Sequence, residues 1–137
     1  MTKAAPFRFS LDPRSGVPAY RQIIDQVQAG LAAGTLARGD QLPTVRQVAV
    51  DLEINPNTVL RAYRELEIRG VLDTQQGMGT FVAEQPVAQD DAERARVLDQ
   101  FVLDVVARAG AAGFALRDVT DALLSRLNEA DARRKAK

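Results

Sequence analysis

The sequence predicts a mainly α protein with one small β-hairpin near its middle. Three observations carry this prediction. Apolar residues recur at helical spacing in five separate stretches. Capping residues stand at the helix boundaries: Pro18, Thr44 and Asn55-Pro56 where helices begin, Gly34 and Gly70 where they end. Two short extended runs flank the glycines Gly77 and Gly79, as a tight hairpin requires.

In chain order, residues 1–6 read as a loose tail, and Phe7–Leu11 alternates apolar and polar residues like a short extended segment. Asp12-Pro13-Arg14-Ser15-Gly16 is a turn cluster. Pro18 suits a first helical turn, where its missing N–H costs nothing. Tyr20, Ile23, Ile24, Val27 and Leu31 then mark one helix face, and Gly34 ends the helix. After a turn at Arg38-Gly39-Asp40, Thr44 caps a second helix with an apolar stripe of Val45, Val48, Ala49 and Leu52. Asn55 caps a third helix, Pro56 takes its first position, and Val59, Tyr63 and Leu66 face inward. Val71–Thr74 and Thr80–Val82 flank a turn at Gln75–Gly79.

A polar connector over residues 84–91, containing Pro86, leads to two further amphipathic stretches. The first carries Val97, Leu98, Phe101, Val102, Val105 and Val106; the second carries Leu116, Val119, Leu123, Leu124 and Leu127. Gly110 and Gly113 are expected to break the chain between them, and 133–137 to fray. Two short helices followed by a two-stranded ribbon make a winged helix-turn-helix, expected over residues 1–83. Residues 92–137 are expected to form a two-helix dimerisation unit. The stripes Val97, Phe101, Val105 and Leu116, Val119, Leu123, Leu127 are too apolar to stay in water on such an appendage.

Composition narrows the chemistry. The 137 residues contain no Cys and no His, which removes disulfides, thiolate and imidazole catalysis and the usual zinc sites. No nucleophile-base pair is evident, so no enzyme, cofactor or metal is expected. No apolar run approaches bilayer length, and the N-terminus lacks a cleavable leader pattern, so the chain is read as cytoplasmic with no membrane partner. Lys and Arg number 18, as do Asp and Glu, for a net charge of zero. That balance predicts modest nonspecific affinity for a polyanion, so the placement of cations matters more than their number.

The placement favours duplex DNA. Arg46, Arg61, Arg64 and Arg69 all fall within the helix-turn-helix, interleaved with Asp51, Glu53, Glu65 and Glu67. Thr44 opens the second helix, where unsatisfied N–H groups and the dipole suit a phosphate; it serves as a cap, a phosphate contact, or both. Arg46 can bind phosphate or grip guanine bidentately, against the plainer role of a surface arginine paired with Asp40 or Asp51. Asn57, Thr58 and Arg61 share a face of the third helix, as a major-groove reader requires. Arg64, one turn on, suits backbone phosphate. Leu60 borders this face but is expected to pack in the core, and Asn55 is expected to act chiefly as a cap. Gln75 and Gln76 can hydrogen-bond to phosphate or a minor-groove edge, or serve as ordinary turn-flanking residues, and Gly77 permits a tight turn and close backbone approach.

Taken together, these motifs resemble the DNA-binding domain of the GntR family of bacterial transcription regulators. The similarity runs from Val17 to Val82. It is carried by Pro18-Ala19-Tyr20-Arg21-Gln22-Ile23, Gly39–Arg46, Asn55-Pro56-Asn57-Thr58-Val59, Arg61–Glu67 and Gly77-Met78-Gly79-Thr80-Phe81-Val82. The Asn-Pro-Asn-Thr-Val form and the short C-terminal part look most like the YtrA subfamily. The resemblance implies a homodimeric repressor that binds a palindromic double-stranded operator, with Arg46, Asn55, Asn57 and Thr58 as main contacts and Gln76 and Gly77 of the wing approaching the minor groove. It also implies a wing carrying Arg or Lys; Gln75-Gln76 depart from this and weaken the wing's electrostatic grip. Residues 83–137 are too few for the larger effector domains of the family, and no small-molecule effector is identified. A winged-helix protein-interaction module that does not bind DNA is the alternative, favoured by the zero net charge and uncharged wing.

Overall fold

A computed structural model describes residues 7–84 and 90–135. Residues 1–6, 85–89 and 136–137 lie outside them, and with them the tail, most of the connector including Pro86, and the last two residues of the expected frayed end. The elements are α1 (Ala19–Ala33), α2 (Val45–Leu52), α3 (Pro56–Ile68), β1 (Leu72–Gln75), β2 (Gly79–Val82), α4 (Asp91–Ala111) and α5 (Leu116–Lys135). The predicted mainly α class with a single hairpin is what the described residues adopt. The described residues fall into two compact units, 7–84 with 130–135, and 90–129.

In the first unit, α3 is the hub: it packs on α1, on α2 and on β1. Ile23, Ile24 and Val27 of α1 meet Val59, Ala62, Tyr63 and Leu66 of α3, with Val48 and Ala49 of α2 completing the core. Each fully buried aliphatic side chain contributes roughly 1.5–3 kcal/mol, so this cluster dominates the unit's stability. The termini follow the capping residues. Pro18 stands at the N-cap of α1, one position before its expected place, and Gly34 ends that helix in the left-handed conformation. Thr44 Oγ1 accepts the Gln47 N–H at 3.1 Å, and Asn55 Oδ1 accepts the Asn57 N–H at 2.8 Å. Each such cap is worth about 1 kcal/mol. Between α2 and α3 the chain turns sharply at Glu53, a non-glycine residue with φ 56 and ψ 45.

Phe7–Leu11 forms no strand. Phe7 and Phe9 pack against the core instead, and the Gln26 amide clamps Ser10 by accepting from its N–H and donating to its carbonyl. The hairpin runs antiparallel in the register Leu72↔Val82 to Gln75↔Gly79. Its strands therefore include Gln75 and Gly79, and the loop is the three residues Gln76-Gly77-Met78. Gly77 has φ 78 and Gly79 has φ 123, values that a side chain would strain. The expected two-stranded ribbon has an additional neighbour: the segment before α2 pairs with β2 through Gln41↔Phe81. Leu42 N–H donates to the Thr80 carbonyl at 2.8 Å, and Val82 N–H to the Asp40 carbonyl at 2.8 Å.

In the second unit, Asp90 caps α4, accepting the Ala92 N–H. Gly110 does not break the chain; it lies inside α4, and the bend comes at 112–115, where Gly113 has φ 85. A glycine costs about 1 kcal/mol relative to alanine in a helix, too little to end a long amphipathic one. Helix α5 continues to Lys135, three residues into the end expected to fray. Helices α4 and α5 do not pack along each other within the described residues. Val97, Leu98, Phe101, Val102, Leu103, Leu116, Leu123, Leu124 and Leu127 are all exposed. Val105 and Val119 are half-buried. Among the described residues no helix is long and apolar enough to cross a membrane.

Candidate nucleic-acid interface

Burial of Val59, Ala62, Tyr63 and Leu66 fixes the rotation of α3, and the 3.6-residue repeat then dictates the opposite face. That face presents Asn57, Leu60, Arg61, Arg64, Glu65 and Ile68 along one open groove. The expected cluster of Asn57 and Arg61 therefore forms, joined by Arg64. Thr58 is half-buried at its margin. Leu60 corrects the expectation of core packing: it is half-buried, absent from the core cluster, and borders the outward groove. Ile68 closes the far end at 81% exposure.

The charges on this face are arranged in favour of its cations. Arg46, Arg61 and Arg64 form no ion pair with any described residue, so the pairing of Arg46 with Asp40 or Asp51 does not occur. Neither acidic residue of α3 pairs with these arginines, although Glu65 lines the same groove. Glu65 pairs with Arg69 at 3.4 Å, and Glu67 accepts a hydrogen bond from Thr74 Oγ1 at 2.7 Å. The chain's zero net charge therefore coexists with an outward face whose arginines have no carboxylate partner among the described residues. Arg61 is also held in place: its guanidinium carbon lies 3.8 Å from the centroid of the Tyr20 ring.

Helix α2 enters from the side. Thr44 and Arg46 are exposed at its start, with the Thr44 oxygen already engaged by the cap. The strand-like segment before α2 and the core together set its position: Tyr63 Oη donates to the Pro43 carbonyl at 2.6 Å. Burial raises the Tyr63 phenol well above its ordinary value, so it remains a donor throughout the physiological range. Asn55 is occupied as the cap of α3.

The wing is tied at both sides. Gln41 Nε2 donates to the Met78 carbonyl at 3.1 Å, and Thr74 links β1 to Glu67 of α3. Gln76 and Gly77 are exposed at the tip beside Met78. Sequence reasoning missed three of these ties: Tyr20 with Arg61, Tyr63 with Pro43, and Gln41 with the wing. A faint signal existed for one of them. A tyrosine in an otherwise aliphatic buried stripe needs a partner for its hydroxyl.

A three-helix core, a sharp turn into an outward-facing third helix and a glycine-tipped hairpin define a winged helix-turn-helix protein. Comparison with known proteins extends this to a family. Residues 19–82 match the family described as bacterial regulatory proteins, gntR family. Over 74 residues the chain is 46% identical to the HTH-type transcriptional repressor YtrA of Bacillus subtilis, covering 54% of this chain and 57% of that protein. Over 92 residues it is 40% identical to the HTH-type transcriptional regulator YhcF of the same organism, covering 65% of this chain and 76% of YhcF. Among solved structures, YtrA from Sulfolobus acidocaldarius, a GntR-family transcription factor, superposes with a TM-score of 0.51 at 28% identity, covering 88% of this chain and 97% of that one. The chain belongs to the GntR family, within its YtrA-like group. The matches span little more than half of B. subtilis YtrA and about three quarters of YhcF. The family is one of regulators, not of enzymes.

Proposed function

We propose that this protein is a DNA-binding transcription regulator that acts as a homodimeric repressor on a palindromic operator. The observation that carries the DNA reading is the outward face of α3, where Asn57 stands with Arg61 and Arg64, neither arginine having an ion-pair partner among the described residues. Helix α3 lies in the major groove, with Asn57, Thr58 and Arg61 toward base edges and Arg64 toward phosphate. Thr44 and Arg46 at the start of α2 meet the backbone, and Asn55 shapes the α3 terminus. Gln76 and Gly77 of the wing approach the minor groove. The repressor role follows the B. subtilis relative, which is named a repressor.

The dimer rests on the second unit. Val97, Phe101, Leu116, Leu123 and Leu127 present apolar surface to water on helices that do not cover one another. A second copy of the same helices buries it, and a two-fold axis matches a palindrome. Residues 1–83 then form the DNA-binding part and 92–137 the dimerisation part.

The test is a gel shift with the full-length protein and a duplex that it has selected from a random-sequence pool. A specific complex whose affinity falls steeply between low and moderate salt is expected. No preference for the selected duplex over a shuffled one would leave the α3 face to a protein partner, a reading that the zero net charge and exposed Ile68 favour.

A further inference from the structure

Among the described residues, Arg61 on the outward face of α3 has a partner on another helix. Its guanidinium carbon sits 3.8 Å from the centre of the Tyr20 ring, at the first turn of α1. Tyr20 is itself fixed, because its ring is half-buried and packed against the hydrophobic core. Arg61 has no carboxylate partner among the described residues. A flat aromatic ring covers one face of a guanidinium, whereas the five N–H donors lie in the guanidinium plane and point outward from its edge. The Tyr20 ring therefore restrains Arg61 at one face, while no Arg61 N–H donates a hydrogen bond among the described residues. An ion pair would also have restrained the arginine, but it would have consumed the fork that reads guanine or phosphate.

We infer that Tyr20 is a positioning residue for DNA reading: it holds the Arg61 guanidinium in a set orientation with its donor edge free for the duplex. The inference rests on the proposal that α3 reads DNA. A purely structural role for the pair has less to supply, because Ile23, Ile24 and Val27 already join α1 to Val59, Ala62, Tyr63 and Leu66 through the core. The ring is what matters and not the hydroxyl, so Tyr20→Phe retains the function. Tyr20→Leu keeps apolar bulk but loses the quadrupole that attracts the cation.

The test is a double-mutant cycle in the full-length protein, read on the selected duplex and on a shuffled duplex of the same composition. Tyr20→Leu is expected to weaken binding to the selected duplex about two- to fivefold, the size of an exposed cation–π contact, with a smaller loss on the shuffled one. Tyr20→Phe should stay within twofold of wild type, and Tyr20→Leu should have no further effect once Arg61→Ala is present. An equal loss from Tyr20→Leu with and without Arg61 would make Tyr20 merely structural and overturn the inference. A different result, Arg61→Ala binding the selected duplex as tightly as wild type, would remove Arg61 from the reading face and sink the underlying proposal for that residue. A second measurement does not depend on how the variants fold. In free wild-type protein the Arg61 Nε–H order parameter should approach that of rigid backbone, and a value below about 0.6 overturns the inference.

Discussion

At the scale of single residues, Tyr63 joins stability to geometry. Its hydroxyl donates to the Pro43 carbonyl at 2.6 Å, tying α3 to the approach of α2. Tyr63→Phe should cost about 1 kcal/mol of folding stability, or somewhat more where the carbonyl is left without a partner. The phenol adds a pH dependence of known sign. Burial raises its folded pKa above the ordinary value of 10.0, so at high pH the unfolded chain loses this proton before the folded one does. The contribution is whole below about pH 10 and falls as pH rises toward the folded value. Urea midpoints at about pH 8 and about pH 11 should therefore converge between wild type and Tyr63→Phe. A constant gap would contradict this. Glu53 offers a second prediction. It holds φ 56 at the end of α2, a conformation that costs a non-glycine residue roughly 1–2 kcal/mol. Glu53→Gly should raise the denaturation midpoint, because the relief exceeds the extra chain entropy of an unfolded glycine.

At the scale of elements, the α2 start and the wing make separable predictions. Arg46→Ala should leave circular dichroism unchanged, since an exposed helical position tolerates alanine, while lowering affinity for the selected duplex. Arg46→Lys separates two roles: rescue points to phosphate neutralisation, no rescue to a bidentate base contact. In the wing, Gly79 has φ 123, and a Cβ there would stand 2.6 Å from the Gln41 amide nitrogen that supports the loop. Gly79→Ala should therefore weaken DNA binding more than it lowers the melting temperature, because the core under α3 is untouched. The starts of α2 and α3 and the end of α1 were legible in the sequence, because caps and apolar periodicity are local signals: Thr44, Asn55-Pro56 and Gly34 each act within a turn. The end of α2 was not, because Glu53 takes the left-handed conformation that sequence patterns assign to glycine. The ties that orient the site were not legible. Tyr20 with Arg61, Pro43 with Tyr63, and Gln41 with Met78 join residues far apart in the chain, and no local pattern says which partner a side chain will find. Leu60 was misjudged for a related reason. A leucine beside a polar face fits either the core or the groove rim until the rotation of α3 is fixed.

At the scale of the whole molecule, the exposed apolar helices make the strongest claim. Val97, Phe101, Leu123 and Leu127 are each about half exposed or more, a poor arrangement for a lone chain. Phe101→Asp should convert a dimer into a monomer by analytical ultracentrifugation and weaken binding to a two-site duplex much more than to a half-site. Wild-type protein that already sediments as a monomer at micromolar concentration would end the dimer proposal. The stripes themselves were readable from periodicity. Their failure to close on each other within one chain was not, because a helical pattern specifies an apolar face without specifying what covers it.

The pairing of Gln41 with Phe81 has a kinetic consequence. The amides of Leu42 and Val82 are hydrogen-bonded between the segment before α2 and β2, at the foot of the wing. They should exchange with deuterium only through large-scale opening, on the timescale of the core helices. Gln76 and Gly77 stand exposed at the tip and should exchange almost at once. Deuterium exchange should thus divide the wing over a few residues into a slow base joined to the folding core and a fast tip.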